Sequence, residues 1–357
     1  MKKFCFAALM AAGGAATVAH AQSSVTLYGI VDAGVLYKTH AAAGGGSAWS
    51  VSSGIDSTSR WGLTGREDLG GGLKALFELE SGFRINTGQS INGGLPTSAG
   101  NVLFDRGATV GIGSDTLGSV MLGKNRSPIL RILARLDIEG YSNFGSLNNL
   151  LYQNLSGYTG YQYSWVDNSV EYLSPEVSGF QGMAMYSFGG VAGNFSSKSV
   201  MSFGASYSIG GFTGAASYFN GRDITGATNS TTARAYTVGA NYGFDAFKFL
   251  LDFSNFKNPA RGTSDNFYTA EFSYTPTPFW TISLTYIHQD DRVTNDRDAS
   301  LYKLGANYAL SRATSIYSYV GYVKNNRLAT LGLQNSIPAG TPGGNQFGAA
   351  IGVRHLF

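Results

Sequence analysis

What most constrains this chain is the pattern of its connectors. Segments of period-two alternation follow one another to the end, and the links between them are short and long in turn. Alternating apolar and polar residues mark a strand with one apolar and one polar face. In the first segment Val25, Leu27, Gly29, Val31, Ala33 and Val35 share a face, opposite Thr26, Tyr28 and Asp32. In Ser59–Arg66 the split is Trp61, Leu63 and Gly65 against Arg60, Gly62, Thr64 and Arg66. Leu73–Phe83 sets Leu73, Ala75, Phe77, Leu79 and Phe83 against Lys74, Glu78 and Glu80. Further strands are expected near 103–113, 117–123, 166–174, 180–188, 200–208, 212–220, 233–243, 246–256, 266–276, 278–289, 300–309, 313–324 and 345–357, sixteen in all. The faces of 313–324 do not separate cleanly. Tight links are expected at Glu67–Gly71, Ser114–Thr116, Pro175–Gly179, Ile209–Gly211, Gly243–Ala246, Pro276–Pro278 and Leu310–Arg312. Long ones fall near 38–57, 84–102, 124–165, 189–199, 221–232, 257–265, 290–299 and 325–344.

Hairpins that are tight on one side and long on the other describe an all-β, sixteen-stranded antiparallel transmembrane barrel. Its apolar faces fit lipid: Phe247, Phe249, Leu251 and Phe253 alternate with Lys248, Asp252 and Ser254, and Trp280, Ile282, Leu284 and Tyr286 repeat the scheme. Closure removes the unpaired edges that lipid could not satisfy. The last strand ends on Phe357, with Phe347, Ala349, Ile351, Val353 and His355 on its face, and is expected to pair with the first. A soluble sandwich or propeller also alternates, but the connector rule and the aromatic strand ends favour the barrel.

Residues 1–21 read as a secretory signal peptide: Lys2 and Lys3, an apolar run from Phe4 to Val18, and Ala19-His-Ala21. Its loss would remove Cys5, the sole cysteine, and lower the formal net charge from +3 by two. A charge so close to balance argues against a nucleic-acid partner. With 49 Gly, 21 Tyr and 22 Phe but only 8 Pro, composition points to a β protein rich in turns. Residues 22–357 are expected to form a single barrel.

One long connector differs from the others. Lys124–Trp165 has no strand alternation, yet it carries Ile129, Leu130, Ile132, Leu133, Leu136, Ile138, Phe144 and Leu147, too much apolar surface for a solvated tail. It must pack against something. Lys124, Arg126, Arg131, Arg135, Asp137 and Glu139 imply that part of it stays in water.

Ala21–Gly29, the Ser-Arg-Trp-Gly-Leu of Ser59–Leu63 leading into Glu67–Ala75, Leu79–Phe83, Asn168–Tyr172, Gly321–Val323 and the terminal Arg354–Phe357 together resemble the general porins of Gram-negative bacteria, of the β-proteobacterial type. The similarity covers essentially the whole chain after the signal. It implies an outer-membrane homotrimer in lipid and lipopolysaccharide, each barrel passing small hydrophilic solutes and ions by diffusion through its own water-filled pore. It also implies that the third external loop, here 124–165, folds inward as the constriction, and that the second, here 84–102, reaches a neighbouring subunit. Loop carboxylates of the family face a basic ladder on the wall. Arg60 and Arg106 match two of its arginines, and Asp137 and Glu139, the only carboxylates of the loop, are the expected opposite pole. Arg126, Arg131 and Arg135 would add positive charge. Strand parity itself places Arg60 in the lumen, whereas the assignment of Arg106, which shares parity with Val110 and Ile112, rests on the resemblance.

Two positions depart from the family. Tyr163, Ser164 and Trp165 stand where a further wall arginine is common, and Glu171 stands where a lysine is often found. Both changes remove positive charge from the lumen. No nucleophile elbow, dinucleotide fingerprint, Walker loop or metalloprotease motif occurs, so no enzyme, cofactor or metal is expected. Asp290, Asp291 and His288 are the cluster nearest to a catalytic one, and they fit a solvated rim better. The alternatives to a general channel are a substrate-specific channel and, more remotely, a surface adhesin or barrel enzyme.

Overall fold

A computed structural model describes residues 23–91, 102–140, 142–147, 164–223, 226–260, 262–334 and 340–357. The segment read as a signal peptide therefore lies outside the described residues, as does much of the connector 84–102. Seventeen strand segments form one antiparallel sheet: β1 Ser24–Lys38, β2 Ala48–Ser53, β3 Arg60–Gly70, β4 Leu73–Gly82, β5 Gly107–Ser114, β6 Gly118–Arg126, β7 Trp165–Leu173, β8 Phe180–Ser187 and β9 Val200–Ile209. They continue with β10 Phe212–Arg222, β11 Thr231–Phe244, β12 Phe247–Asn258, β13 Thr263–Thr277, β14 Trp280–Asp291, β15 Ala299–Ala309, β16 Thr314–Asn325 and β17 Gln346–Leu356.

The sheet closes on itself. β17 pairs with β1 from Ile30↔Leu356 to Lys38↔Gly348, and Gly29 and Phe357 exchange backbone hydrogen bonds at 2.9 and 3.1 Å. A Cβ on Gly29 would stand 2.4 Å from the Phe357 ring, so the terminal aromatic needs a glycine beneath it. The seventeen segments make sixteen staves, because β2 and β3 share one: β1 pairs with β2 along its upper half (Ala33–Lys38) and with β3 along its lower half (Ser24–Ile30). The expected loop 38–57 thus contains a strand. Trp49 and Val51 alternate with serines there in a stretch otherwise dominated by loop residues.

The break between β2 and β3, residues 54–59, folds over buried Asp32 of β1. That carboxylate accepts from the Ile55 and Ser57 backbone N–H at 3.1 and 2.9 Å and from the Tyr317 hydroxyl at 2.7 Å. β5 begins at Gly107, four residues later than expected, because the chain before it turns: the Asp105 carboxylate accepts from the Gly82 N–H at 2.7 Å. Along β12–β15 the alternation predicts the faces. Phe249, Leu251, Tyr268, Leu284, Tyr302 and Leu304 are exposed on the outside, and Asp252, Ser254, Glu271, Thr285 and Lys303 are buried on the inside. Long connectors leave one rim of the barrel and tight ones the other.

Candidate functional site: the charged inner wall and the long connector

Within the long connector, the chain forms a helix, α1 Pro128–Leu136. Ser127 caps it, its Oγ accepting from the Leu130 N–H at 3.3 Å, proline opens it where a missing N–H costs nothing, and Arg135 lies in the last turn, where a cation suits the helix dipole. Ile129, Leu130, Ile132, Leu133 and Leu136 are buried against β8–β11. Gly204 and Gly239 admit the closest approach, since a Cβ on either would come 3.0 Å from Ile132 and Leu136 respectively. No helix was anticipated. The Ser-Pro pair ahead of an apolar run is the start signal that would have found it.

Beyond the helix the connector follows the wall. The Ile138 N–H donates to Glu271 of β13 at 3.0 Å, and Glu139 takes hydrogen bonds from Ser283 of β14 and from the Lys303 ammonium of β15. Phe144 stacks on Tyr319 of β16 with centroids 5.7 Å apart. Asn143 then reaches the β2/β3 break, its N–H donating to Asp56 O at 3.0 Å and its side-chain amide to Gly54 O at 2.9 Å and Thr58 Oγ1 at 3.0 Å. All these wall groups lie on the face opposite the exposed apolar one. The described residues 127–140 and 142–147 thus run past β7–β16 to the second stave, and their named contacts skip staves three to five.

Charges divide along that path. On the skipped part of the wall, Glu80 of β4 accepts from Arg106 Nε at 2.6 Å and sits 3.4 Å from Arg60 Nε. Arg126 is within electrostatic reach of Arg60, and the Tyr28 hydroxyl donates to Glu80 at 3.0 Å. Two guanidiniums, Arg60 and Arg106, therefore bracket Glu80, a third, Arg126, adds positive charge near Arg60, and Glu78 is the other nearby carboxylate. Arg106 also lies over the Trp165 ring, 4.3 Å from its centroid, which is a cation–π contact. Beside it, burial pushes the Asp105 carboxyl up to about 6, against the lowering effect of the Gly82 N–H bond. On the covered part of the wall, Glu139, Asp137 and Glu271 gather around Lys303. Side-chain exposure there is 1% for Lys303 and 9% for Glu139, so this pair is closed off from water.

The predicted site residues are therefore brought together in a different combination. Arg60, Arg106 and Arg126 form one group, but Asp137 and Glu139 are not its ion-pair partners. Glu139 pairs with Lys303, and Arg60 and Arg106 with Glu80, because α1 carries the loop carboxylates across to β13–β15. Arg131 makes a two-pronged pair with Glu171, Nε to Oε1 at 2.9 Å and Nη2 to Oε2 at 3.0 Å. Arg135 bonds the neutral Gln181 and Ser206 at 2.9 and 2.6 Å. Sequence reasoning missed Lys303 and Glu80 as site residues. Their parity, inward beside outward Tyr302 and Leu79, was the available signal.

The Glu171 carboxylate is fully buried, and among the described residues Arg131 is its one ion-pair partner. Breaking a buried pair from one side typically costs about 3–5 kcal/mol, since a charge is left without compensation. Arg131→Met is accordingly expected to lower the thermal unfolding midpoint of the purified barrel. Arg131→Met with Glu171→Gln should recover most of the loss.

Comparison with known proteins places these features in a family. The profile of the Gram-negative porin family matches residues 7–328. Outer membrane porin protein 32 of Delftia acidovorans is 32% identical, with all of both chains covered, and an outer membrane porin protein of Bordetella pertussis is 28% identical with the same coverage. Among solved structures, an anion-selective porin from Comamonas acidovorans superposes with a TM-score of 0.77 at 28% identity, covering 94% of this chain and 100% of that one.

Proposed function

We propose, from the premise that this chain belongs to the Gram-negative porin family, that its long connector narrows the channel and that the uncovered wall biases it toward anions. The protein is an outer-membrane porin, a sixteen-stave β-barrel consistent with passive diffusion of small hydrophilic solutes and ions. A barrel of this size leaves an aqueous channel too wide to discriminate well by itself. A segment packed along one side of the wall reduces the free cross-section and leaves the opposite side to set the field. The observation that carries the anion bias is the pair Arg60 and Arg106 on the single carboxylate of Glu80, with Arg126 adding positive charge near Arg60, while the loop carboxylate Glu139 is already neutralised at buried Lys303. Glu171, the acidic departure from the family pattern, is matched by Arg131. The second departure, Trp165, holds the guanidinium of Arg106. The superposed Comamonas protein is anion-selective, which agrees with this reading.

The working unit is proposed to be a homotrimer, exported through a signal peptide at residues 1–21. Val25 and Leu27 of β1, Val110 and Ile112 of β5 and Val120 and Leu122 of β6 are exposed aliphatic residues, in contrast to the aromatic outer face of β11–β15, and such a surface suits packing against a second copy. Purified protein in a planar bilayer is expected to give ohmic conductance steps that close in threes at high voltage. Correctly folded trimers without conductance would remove the channel reading, and current that saturates with one solute would replace diffusion by a specific channel.

A further inference from the structure

The eighth long connector, between β16 and β17, also turns inward. Ala329, Leu331 and Leu333 are buried, Leu333 completely. Buried Asn325 fixes the turn, donating to Leu331 O at 3.0 Å and accepting from the Leu331 N–H at 3.0 Å, and Gln346 accepts from the Leu333 N–H at 2.9 Å. Leu333 O in turn accepts from the Gly145 N–H at 2.8 Å, and Phe144 and Gln334 form an antiparallel bridge. Two external connectors are thus joined backbone to backbone inside the barrel.

They share a socket in the wall. Gly321 of β16 and Gly348 of β17 are register partners. A Cβ on Gly321 would stand 2.6 Å from Leu333 Cδ2 and 3.1 Å from Phe144 Cε1, and one on Gly348 2.8 Å from Leu333 Cδ1 and 3.4 Å from Phe144 Cζ. Paired glycines leave a shallow depression that holds both side chains, and any larger residue would fill it.

We propose that the segment Asn326–Gln334 is a strap that sets the pore's width together with the 124–165 connector, Leu333 being the positioning residue that clamps Phe144 into the Gly321/Gly348 socket. This rests on the reading of the 124–165 connector as the constriction. Without the strap, the tip around Phe144 keeps Asn143 and the Tyr319 stack but loses its backbone partner and the cover over its ring. The tip then moves off the wall and the free cross-section changes, although Leu333 itself touches no solute.

The test compares Leu333→Asp and Gly348→Val with wild type in planar bilayers and in liposome swelling with sugars of graded size. Lys303→Met serves as a variant that frees the connector at a different anchor. Heat-modified migration in gels confirms that each barrel is folded. Leu333→Asp and Gly348→Val are expected to change single-channel conductance by a factor of about 1.5 or more, with added flicker, because the narrowest cross-section governs passage. The size limit for sugars should shift with it. Folded Leu333→Asp and Gly348→Val barrels with wild-type conductance and size limit, alongside an altered Lys303→Met, would overturn the strap and leave the constriction standing. No change in any of the three would overturn the constriction as well.

Discussion

Lys303→Met is expected to release the long connector from the wall and raise single-channel conductance while the barrel stays closed. Lys303 is the cation at the centre of Glu139, Asp137 and Glu271, and its ammonium also donates to Phe144 O at 3.1 Å. Methionine fills much of the same space but leaves those carboxylates in a buried pocket without a counter-charge, a loss of about 3–5 kcal/mol by analogy with other broken buried pairs. The strands have no such option for relief, since each is held by neighbours on both sides. The connector does, because moving off β13–β15 carries Asp137 and Glu139 into water. The expected signs are a larger and noisier current and faster proteolysis between Arg126 and Gly145, with an unchanged β-sheet circular dichroism spectrum. Adding Glu139→Gln and Glu271→Gln to Lys303→Met should restore much of the quiet, narrower state. A Lys303→Met channel with wild-type conductance would mean that the Glu139 pair does not hold the connector.

How far the sequence carried can be judged from particular elements. Strand faces were legible wherever one side meets lipid and the other water, as in β12 and β14, because the two solvents differ and the period is two. β16 was not legible for a physical reason: Tyr317, Tyr319 and Val323 face inward and are buried, and Tyr319 stacks on Phe144, while Ile316, Val320 and Tyr322 face outward. Both faces are apolar where an inserted segment docks, so alternation fades at the place where function begins. Arg106 misled by parity because the strand starts one residue after it and the turn at Asp105 sets its direction. The residues of the site were largely visible, but their pairing was not. Whether Glu139 meets Arg60 or Lys303 depends on where a nine-residue helix delivers it, and that is a property of the packing of α1 against β8–β11.

The second large effect concerns ion selectivity. Arg60→Gln with Arg106→Gln removes both guanidiniums that bracket Glu80 and leaves Arg126 as the remaining cation of the group. Two unit charges about 15 Å from a passing ion, in a medium of effective dielectric near 20, interact with it by about 1 kcal/mol each, so the two together should lower the ratio of anion to cation permeability by roughly tenfold or more. Lumen substitutions tune selectivity without the cost of charges placed in lipid, so the barrel should remain folded. Glu80→Gln should shift the ratio the other way, because the same arginines then act without their counter-charge. The two opposite shifts separate an effect of charge from a general disturbance of the wall.

The most direct test is the zero-current potential of single wild-type and variant channels across a potassium chloride gradient, kept near about 0.1 M or below so that the Debye length, about 10 Å there, does not hide the wall. Wild type is expected to show a potential of anion sign, Arg60→Gln with Arg106→Gln a displacement toward cations, and Glu80→Gln a displacement further toward anions. A potential that is the same in all three would contradict the assignment of the selectivity field to the arginines around Glu80.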